Sequence, residues 1–128
     1  MVWLVYDCEP HDLQKNQKAQ KVFSELNQKR YWCPVVSHPC IEWWFLLHFD
    51  DPPAAKELST AAKACTKLRK FLKNYTKGQI QIDELEKPGQ RDQAKRRAAK
   101  LWTEGFPKTP ATSIHLLVEA LEDFKSSN

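Results

Sequence analysis

The chain has 128 residues, 41% of them hydrophobic and 28% charged, with only 3 glycines, a composition that predicts one globular domain rich in helix. Its apolar runs are too short to cross a membrane, and we expect no signal peptide, because the N-terminus has no basic region and only a short apolar run. None of the four cysteines forms a Cys-x-x-Cys pair, so reduced thiols in a cytoplasm are expected rather than a zinc site or a disulfide framework.

The formal net charge of +4 is unevenly distributed along the chain. Acids outnumber Lys and Arg in residues 1–52, whereas Lys and Arg outnumber acids in residues 53–128. We expect a single domain in which residues 1–52 form a βαβ unit with a buried helix and residues 53–128 form a basic helical part. An acidic site facing a basic half suits a polyanionic substrate held near a metal, but an ordinary soluble protein has the same features.

A short apolar run, residues 2–6, is followed at once by the acids Asp7 and Glu9. The run predicts a buried strand, and open α/β folds bind ligands just beyond the carboxyl ends of their strands. In an extended chain the side chains of residues i and i+2 point the same way, so Asp7 and Glu9 are candidates to hold Mg²⁺ or Mn²⁺. The alternative is a polar turn in which Asp12 caps the following helix.

Helical spacing of apolar residues predicts a helix over residues 13–30, and a short second strand follows at Trp32–Val36. A βαβ unit places its two strands parallel. Pro34 lacks a backbone donor and favours an edge position for the second strand. The first strand is apolar on both faces and is expected in the middle of a sheet, so we expect either a longer fold or strands supplied by a partner.

The densest apolar segment, residues 37–49, predicts a buried helix that begins near Pro39. Glu42 and His48 are its polar exceptions. A buried carboxylate is costly unless it is paired or binds a metal, which makes Glu42 a candidate functional residue. The alternatives are that it caps its own helix or pairs with an arginine. His48 stands near the helix end, where an imidazole can bond the last carbonyls.

Three further helices are predicted after residue 52, at Glu57–Tyr75, Arg91–Thr103 and from Thr109 onward, with a linker and a possible short strand at residues 79–82. Residues 63–77 contain six Lys or Arg and no acid. Such a face suits a phosphate backbone, although a solvated helix face is the simpler interpretation. The candidate nucleic-acid contacts are Lys67, Lys70, Arg96 and Arg97.

Three passages in this order resemble the RloB-like family of bacterial proteins, which are encoded near restriction and abortive-infection genes. They are Val2–Asp12, Ser37–Phe49 and Thr109–Ser113. The middle passage, SHPCIEWWFLLHF, is similar to the family signature S-N-P-C-F-E-L-W-L-L-L-H-F and is specific. The other two would be weak alone, but together the three span most of the chain.

The resemblance implies a TOPRIM-like α/β core, a partial parallel sheet of two or three strands in this chain, with carboxylates that bind Mg²⁺. Asp7 and Glu9 then stand at the family's D-x-D position, and His11 at a nearby polar position. Glu42 and His48 match the Glu and His of the long signature. Glu9 in place of the second Asp keeps an oxygen ligand.

This sequence departs from the family pattern at two positions, because His38 and Thr109 stand where the family has Asn. Any functional role of these two residues is therefore in doubt. The family's preceding segment, with a strand and a glutamate, has no counterpart in this sequence. We therefore expect this chain to lack one metal ligand, and to be either a truncated copy of a family member or a protein that is inactive alone.

The leading expectation from the resemblance is a Mg²⁺-dependent nuclease or phosphoryl-transfer domain in cytoplasmic phage defence. Asp7 and Glu9 would hold the metal, and Glu42 would be a further ligand or a base. The rival expectation is a non-catalytic module that pairs with an ATPase partner. A homodimer is expected in either case.

Overall fold

The computed structural model describes residues 1–51 and 59–127. The elements in chain order are β1 (Val2–Asp7), α1 (Leu13–Leu26), β2 (Trp32–His38), α2 (Glu42–Leu46), α3 (Ala61–Leu68), a 3-10 turn (Ile82–Leu85), α4 (Gln90–Leu101), β3 (Ala111–Thr112) and α5 (Ile114–Ser127). The predicted α/β class is confirmed. Within the described residues, none of the helices is both long and apolar enough to cross a bilayer.

The sheet has three strands in the order β1-β2-β3. β1 and β2 run parallel, as the βαβ interpretation predicted, and Asp7 lies opposite Ser37. β3 is antiparallel to β2 and pairs Thr112 with Ser37. Paired residues share a face of the sheet, so a polar row of Asp7, Ser37 and Thr112 crosses all three strands at the carboxyl ends of β1 and β2.

The predicted positions of β1 and β2 were wrong, because β1 is an edge strand and β2 is central. Pro34 is tolerated in the central strand for a geometric reason. The N–H and C=O groups of Val36 both face Ser113 on the β3 side, and alternate residues of a strand point their backbone groups to the same side. The backbone nitrogen of Pro34 therefore points to the β3 side of β2. The two-residue strand β3 does not extend as far as Pro34, so the missing N–H costs the sheet no hydrogen bond.

The turn-and-cap alternative for Asp12 is confirmed, since its carboxylate accepts a hydrogen bond from the Lys15 N–H at 3.0 Å. The cap fixes the start of α1, which ends at Leu26 rather than at the predicted Arg30. Ala19 and Phe23 are the buried residues of α1. This helix covers the face of the sheet where Val36 packs against Phe23 and Cys8.

The helix predicted at Glu57–Tyr75 is shorter, and its predicted first residues lie outside the described part of the chain. Thr60 accepts a hydrogen bond from the Lys63 N–H at 3.2 Å and caps α3. The helix ends at Leu68, and the chain turns back so that Tyr75 remains buried. The apolar periodicity continued past Leu68 because these turns still pack against the core, not because the backbone is helical.

The start of the last helix was also predicted too early. Residues 111–112 form β3, and α5 begins at Ile114. Thr112 accepts a hydrogen bond from the Ile114 N–H at 3.2 Å, and its hydroxyl pairs with that of Ser37 at 2.8 Å. Hydrogen bonds to the sheet thus hold this segment extended. The possible strand at residues 79–82 is replaced by an isolated bridge between Thr76 and Gln79 and the following 3-10 turn.

The helix predicted over residues 37–49 is shorter than expected, because β2 continues to His38 and α2 comprises only Glu42–Leu46. It lies in the main core, as its apolar sequence predicted. Trp43, Leu46 and Leu47 are each 1% exposed or less. They belong to a cluster with residues of the sheet and of the two long C-terminal helices, namely Val35, Ala94, Ala98 and Ile114. This packing fixes the first residue of α2, Glu42, beside the carboxyl end of β1.

Candidate functional site

Glu42 is the most deeply buried carboxylate of the described residues, at 1% exposure. The Tyr75 hydroxyl donates a hydrogen bond to its Oε1 at 2.9 Å. Burial alone would raise the pKa of Glu42, but interactions with the Cys40 thiol and the Tyr75 hydroxyl outweigh it and lower the pKa. Glu42 is therefore ionised at neutral pH. Within the described residues, its Oε2 is buried and has no partner in hydrogen-bonding geometry.

Asp7 is the second carboxylate of the site and lies at the last position of β1. Burial, and next the negative charge of Glu42, raise its pKa to about 6, although the Ile41 backbone N–H donates to it and lowers the pKa. The strand end and the start of α2 thus bring Asp7 and Glu42 together. The sequence interpretation had singled out both residues but had paired Asp7 with Glu9.

Glu9 has a different geometry from the one predicted. The strand ends at Asp7, and Glu9 has a left-handed φ of 54°, so the extended i, i+2 alignment does not hold. Its carboxylate lies 3.5 Å from the His11 imidazole. The charge of Glu9 still contributes to the raised pKa of Asp7, less than that of Glu42 does. Glu9 and His11 therefore border the site, where they form a partly exposed pair.

His38 and His48 are buried, and neither lies free in a cleft. Burial lowers the pKa of both imidazoles, so both are neutral at physiological pH. His48 Nδ1 forms a hydrogen bond with the Trp44 carbonyl at 2.9 Å, which is the helix-end contact considered from the sequence. His38 stands at the end of β2, and its Nδ1 has no hydrogen-bond partner among the described residues.

Lys77 is a lysine whose positive charge acts on both carboxylates. The positive charge of Lys77 lowers the pKa of both Asp7 and Glu42. Sequence reasoning noted Lys77 only as the end of a basic run. The signal that could have identified it is its position two residues after Tyr75, because the turn that buries Tyr75 against Glu42 carries Lys77 with it.

The four basic residues selected from the sequence divide into two kinds. Lys67 lies 3.7 Å from Asp50, and Arg97 donates to the Leu47 carbonyl at 2.8 Å. These two are tied to the C-terminal side of α2, away from Glu42. Lys70 and Arg96 are exposed and remain available to a phosphate.

The residues that sequence reasoning missed are the polar groups around Glu42. Tyr75 and Cys65 lay within the helix predicted at Glu57–Tyr75, and Cys40 stood inside the apolar run of residues 37–49. Glu42 raises the pKa of each of these three groups, after the larger effect of burial. Nothing in a single sequence shows that three separate segments converge on one carboxylate.

In the described part of the chain, the side chains available to a divalent cation are few. Among the described residues, no three His, Cys, Asp or Glu side chains are grouped closely enough to hold a metal by themselves. Mg²⁺ is nevertheless usually bound by only one or two carboxylates and keeps several waters. Two carboxylates whose charges interact, one of them with an oxygen that has no hydrogen-bond partner among the described residues, fit Mg²⁺ or Mn²⁺ better than a metal that needs a full protein cage.

Comparison with known proteins agrees with the resemblance seen in the three sequence passages. The family model described as RloB-like protein matches residues 1–121. Neither the curated proteins nor the solved structures contain a significant match. Because the family match covers nearly the whole sequence, the chain belongs to the RloB-like family.

Proposed function

We propose that this protein is a Mg²⁺-dependent nuclease or related phosphoryl-transfer enzyme of cytoplasmic phage defence, in which Asp7 and Glu42 hold the metal. One observation carries the proposal. Among the described residues, the buried Oε2 of Glu42 has no partner in hydrogen-bonding geometry, and the charge of Glu42 raises the pKa of a second carboxylate, Asp7. Such an arrangement is costly unless a cation balances it.

Each residue of the site has a definable task in this proposal. Asp7 and Glu42 present oxygens to the cation, and the Tyr75 hydroxyl and Ile41 N–H orient the two carboxylates. Lys77, which is exposed and whose charge acts on both carboxylates, is assigned to contact a phosphate group. A bound Mg²⁺ would stabilise negative charge on a phosphate and lower the pKa of a coordinated water. Glu9, which borders Asp7, is a candidate third carboxylate.

The surrounding charge suits a nucleic acid as substrate. Lys70 and Arg96 are exposed, and each Lys or Arg that contacts a phosphate adds to affinity through counterion release. We propose that these two residues, with Lys77, hold the backbone. The paired Lys67 and Arg97 are assigned a smaller role, because they already neutralise Asp50 and Asp51.

The test is calorimetric titration of Mg²⁺ and of Mn²⁺ into the purified chain, at about pH 7.5 so that Asp7 is ionised. We expect saturable binding that is lost in Asp7→Asn and in Glu42→Gln. The matched control is Asp12→Asn, which changes a carboxylate near Asp7 but keeps the helix cap, and it should bind as the native chain does. Unchanged Mg²⁺ binding in Asp7→Asn would contradict the proposal.

A second candidate function, a non-catalytic interaction module, is favoured by the exposed edge of the sheet. No strand of the described ranges, 1–51 and 59–127, pairs with the outer side of β1, and Val2, Leu4 and Val5 are 44%, 37% and 43% exposed. Apolar edge strands readily pair with another chain. The pairing chain would be a second copy, giving the expected homodimer, or an ATPase partner.

The interaction module has its own test. Sedimentation velocity at several protein concentrations should show association that Val5→Lys reduces, because a lysine on an edge strand opposes pairing. The control Gln17→Lys places the same charge on an exposed position of α1. Association together with no Mg²⁺ binding would favour this function over the nuclease, whereas a monomer at all concentrations would exclude self-pairing.

A further inference from the structure

A cavity of about 240 Å³ opens in the turns that follow α3. Its volume is below the range of roughly 300–1,000 Å³ typical of drug-sized ligands, so it suits a single flat ring system rather than a larger molecule. The residues that line it include Phe71, Lys73, Asn74, Tyr75, Gln81 and Glu84.

The polar lining of this cavity is dominated by side-chain amides. Asn74, Gln79 and Gln81, whose side chains each carry a donor and an acceptor, are among the lining residues, together with the carboxylate-bearing Glu84. Gln79 Oε1 already accepts from the Thr76 hydroxyl at 3.1 Å, which leaves its amide hydrogens to donate. Asn and Gln match the donor–acceptor edge of a nucleobase, and a carboxylate accepts from an exocyclic amino group.

The cavity also offers an aromatic surface. Phe71 is 39% exposed and its ring stacks on Phe49, with centroids 5.3 Å apart and planes 10° apart. This contact holds the Phe71 ring in place. Nucleobases stack on such rings with little dependence on sequence.

Charge decides between a nucleobase and other flat polar ligands. Lys73 lines the cavity. Lys70 precedes the lining residues in the sequence and Lys77 lies between two of them, Tyr75 and Gln79, and all three lysines belong to the acid-free run of residues 63–77. Three positive charges would not contribute to the binding of a neutral ligand. They would attract the phosphate groups of a base that belongs to a nucleic-acid strand.

One residue joins the cavity to the candidate metal site. Tyr75 lines the cavity, and its hydroxyl donates to Glu42 at 2.9 Å. A base in the cavity would therefore leave its backbone near Lys77 and the two carboxylates. This connection rests on the proposed function, while binding of the base itself does not need a metal.

We propose that this cavity binds one unstacked base of a single-stranded nucleic acid and so selects single strands as the substrate. Fluorescence anisotropy with a labelled single-stranded RNA of about 12 nucleotides, a length within the usual site sizes for such binding, tests this on the full chain in EDTA. Asn74→Ala and Gln81→Ala, at exposed positions, should each weaken binding by about fivefold or more. The matched control Gln17→Ala on α1 should bind as the native chain does.

Two further measurements separate the possible results. A duplex of the same sequence should bind without sensitivity to Asn74→Ala, because its bases are stacked and paired. A free nucleoside monophosphate should compete only at much higher concentration than the strand. The proposal is overturned if the alanine variants bind the single strand as tightly as the control, or if the monophosphate competes as well as the strand.

The results also separate this inference from the proposed function. If Mg²⁺ binds at Asp7 and Glu42 but no single strand binds in EDTA, the base-binding cavity is refuted and the metal site is retained. If the strand binds through Asn74 and Gln81 but no metal binds, the proposed nuclease is refuted and the cavity remains a single-strand binding site. Phe71→Ala is a weaker test, because loss of the stacking contact with Phe49 also affects the fold.

Discussion

Asp7→Asn is expected to abolish metal-dependent cleavage and, in the absence of metal, to raise the free energy of unfolding at neutral pH. Both effects have one cause. Burial and the charge of Glu42 raise the pKa of Asp7 to about 6, so the ionised Asp7 is unfavourable in the folded state. An asparagine of the same shape keeps the acceptor for the Ile41 N–H and removes the repulsion.

The pH dependence of this stabilisation follows from linkage. The pKa of Asp7 is 3.8 in the unfolded reference and about 6 in the fold, so the native chain loses stability as the pH rises through that interval. Below pH 3.8, Asp7 is mostly neutral in both the folded and the unfolded state, so Asp7→Asn is not more stable than the native chain. Above about pH 6 the full difference in free energy of unfolding between Asp7→Asn and the native chain is present. Because Asp7 is half-buried and partly screened by solvent, we expect this difference to be about 1 kcal/mol.

Urea denaturation of the native chain and the variant at about pH 4 and about pH 7.5 measures this difference. Added Mg²⁺ should stabilise only the native chain, because a ligand that binds the folded state shifts the unfolding equilibrium. Asp12→Asn again serves as the control and should show no stabilisation at either pH. A variant Asp7→Asn that is less stable than the native chain at neutral pH would show that Asp7 has a structural role instead.

The sequence allowed the βαβ unit, the buried helix and the burial of Glu42 to be predicted, because each depends on local patterns. An acid in an otherwise apolar run is visible in the sequence, and its cost on burial is a general property. The edge position of β1 could not be predicted in this way. An apolar strand with no visible neighbours indicates the middle of a sheet, whereas the structure leaves Leu4 and Val5 partly exposed.

The rest of the site could not be predicted because it depends on contacts between distant segments. Tyr75 and Glu42 are 33 positions apart, and the turn that joins them follows a helix that was predicted to continue. The conformation of Glu9 was missed for a local reason. A left-handed φ is uncommon for residues other than glycine, so the extended alignment with Asp7 was the reasonable expectation.

Tyr75→Phe is expected to lower the free energy of unfolding by about 2 kcal/mol at neutral pH, because it removes a buried hydrogen bond to a charged group. The hydroxyl donates to Glu42 Oε1 at 2.9 Å, and both side chains are almost fully buried. The change removes one of the interactions that lower the pKa of Glu42. Phenylalanine keeps the ring and its edge contact with Phe45, so the loss reports on the hydroxyl alone.

The pH dependence identifies the charged partner. A carboxylate whose pKa the fold lowers contributes stability that is present above its unfolded pKa of 4.5 and is lost as the pH falls through the lower folded value. The cost of Tyr75→Phe should therefore shrink in acid. Tyr31→Phe, at a ring 61% exposed, is the control and should change little.

A double-mutant cycle with Glu42→Gln completes the test. If the hydroxyl acts through the Glu42 carboxylate, the two substitutions should be non-additive, with a coupling energy of about 1–2 kcal/mol. Additive effects would mean that Tyr75 stabilises the fold by packing only. The hydroxyl would then have no part in orienting Glu42, and the link between the cavity and the two carboxylates would be lost.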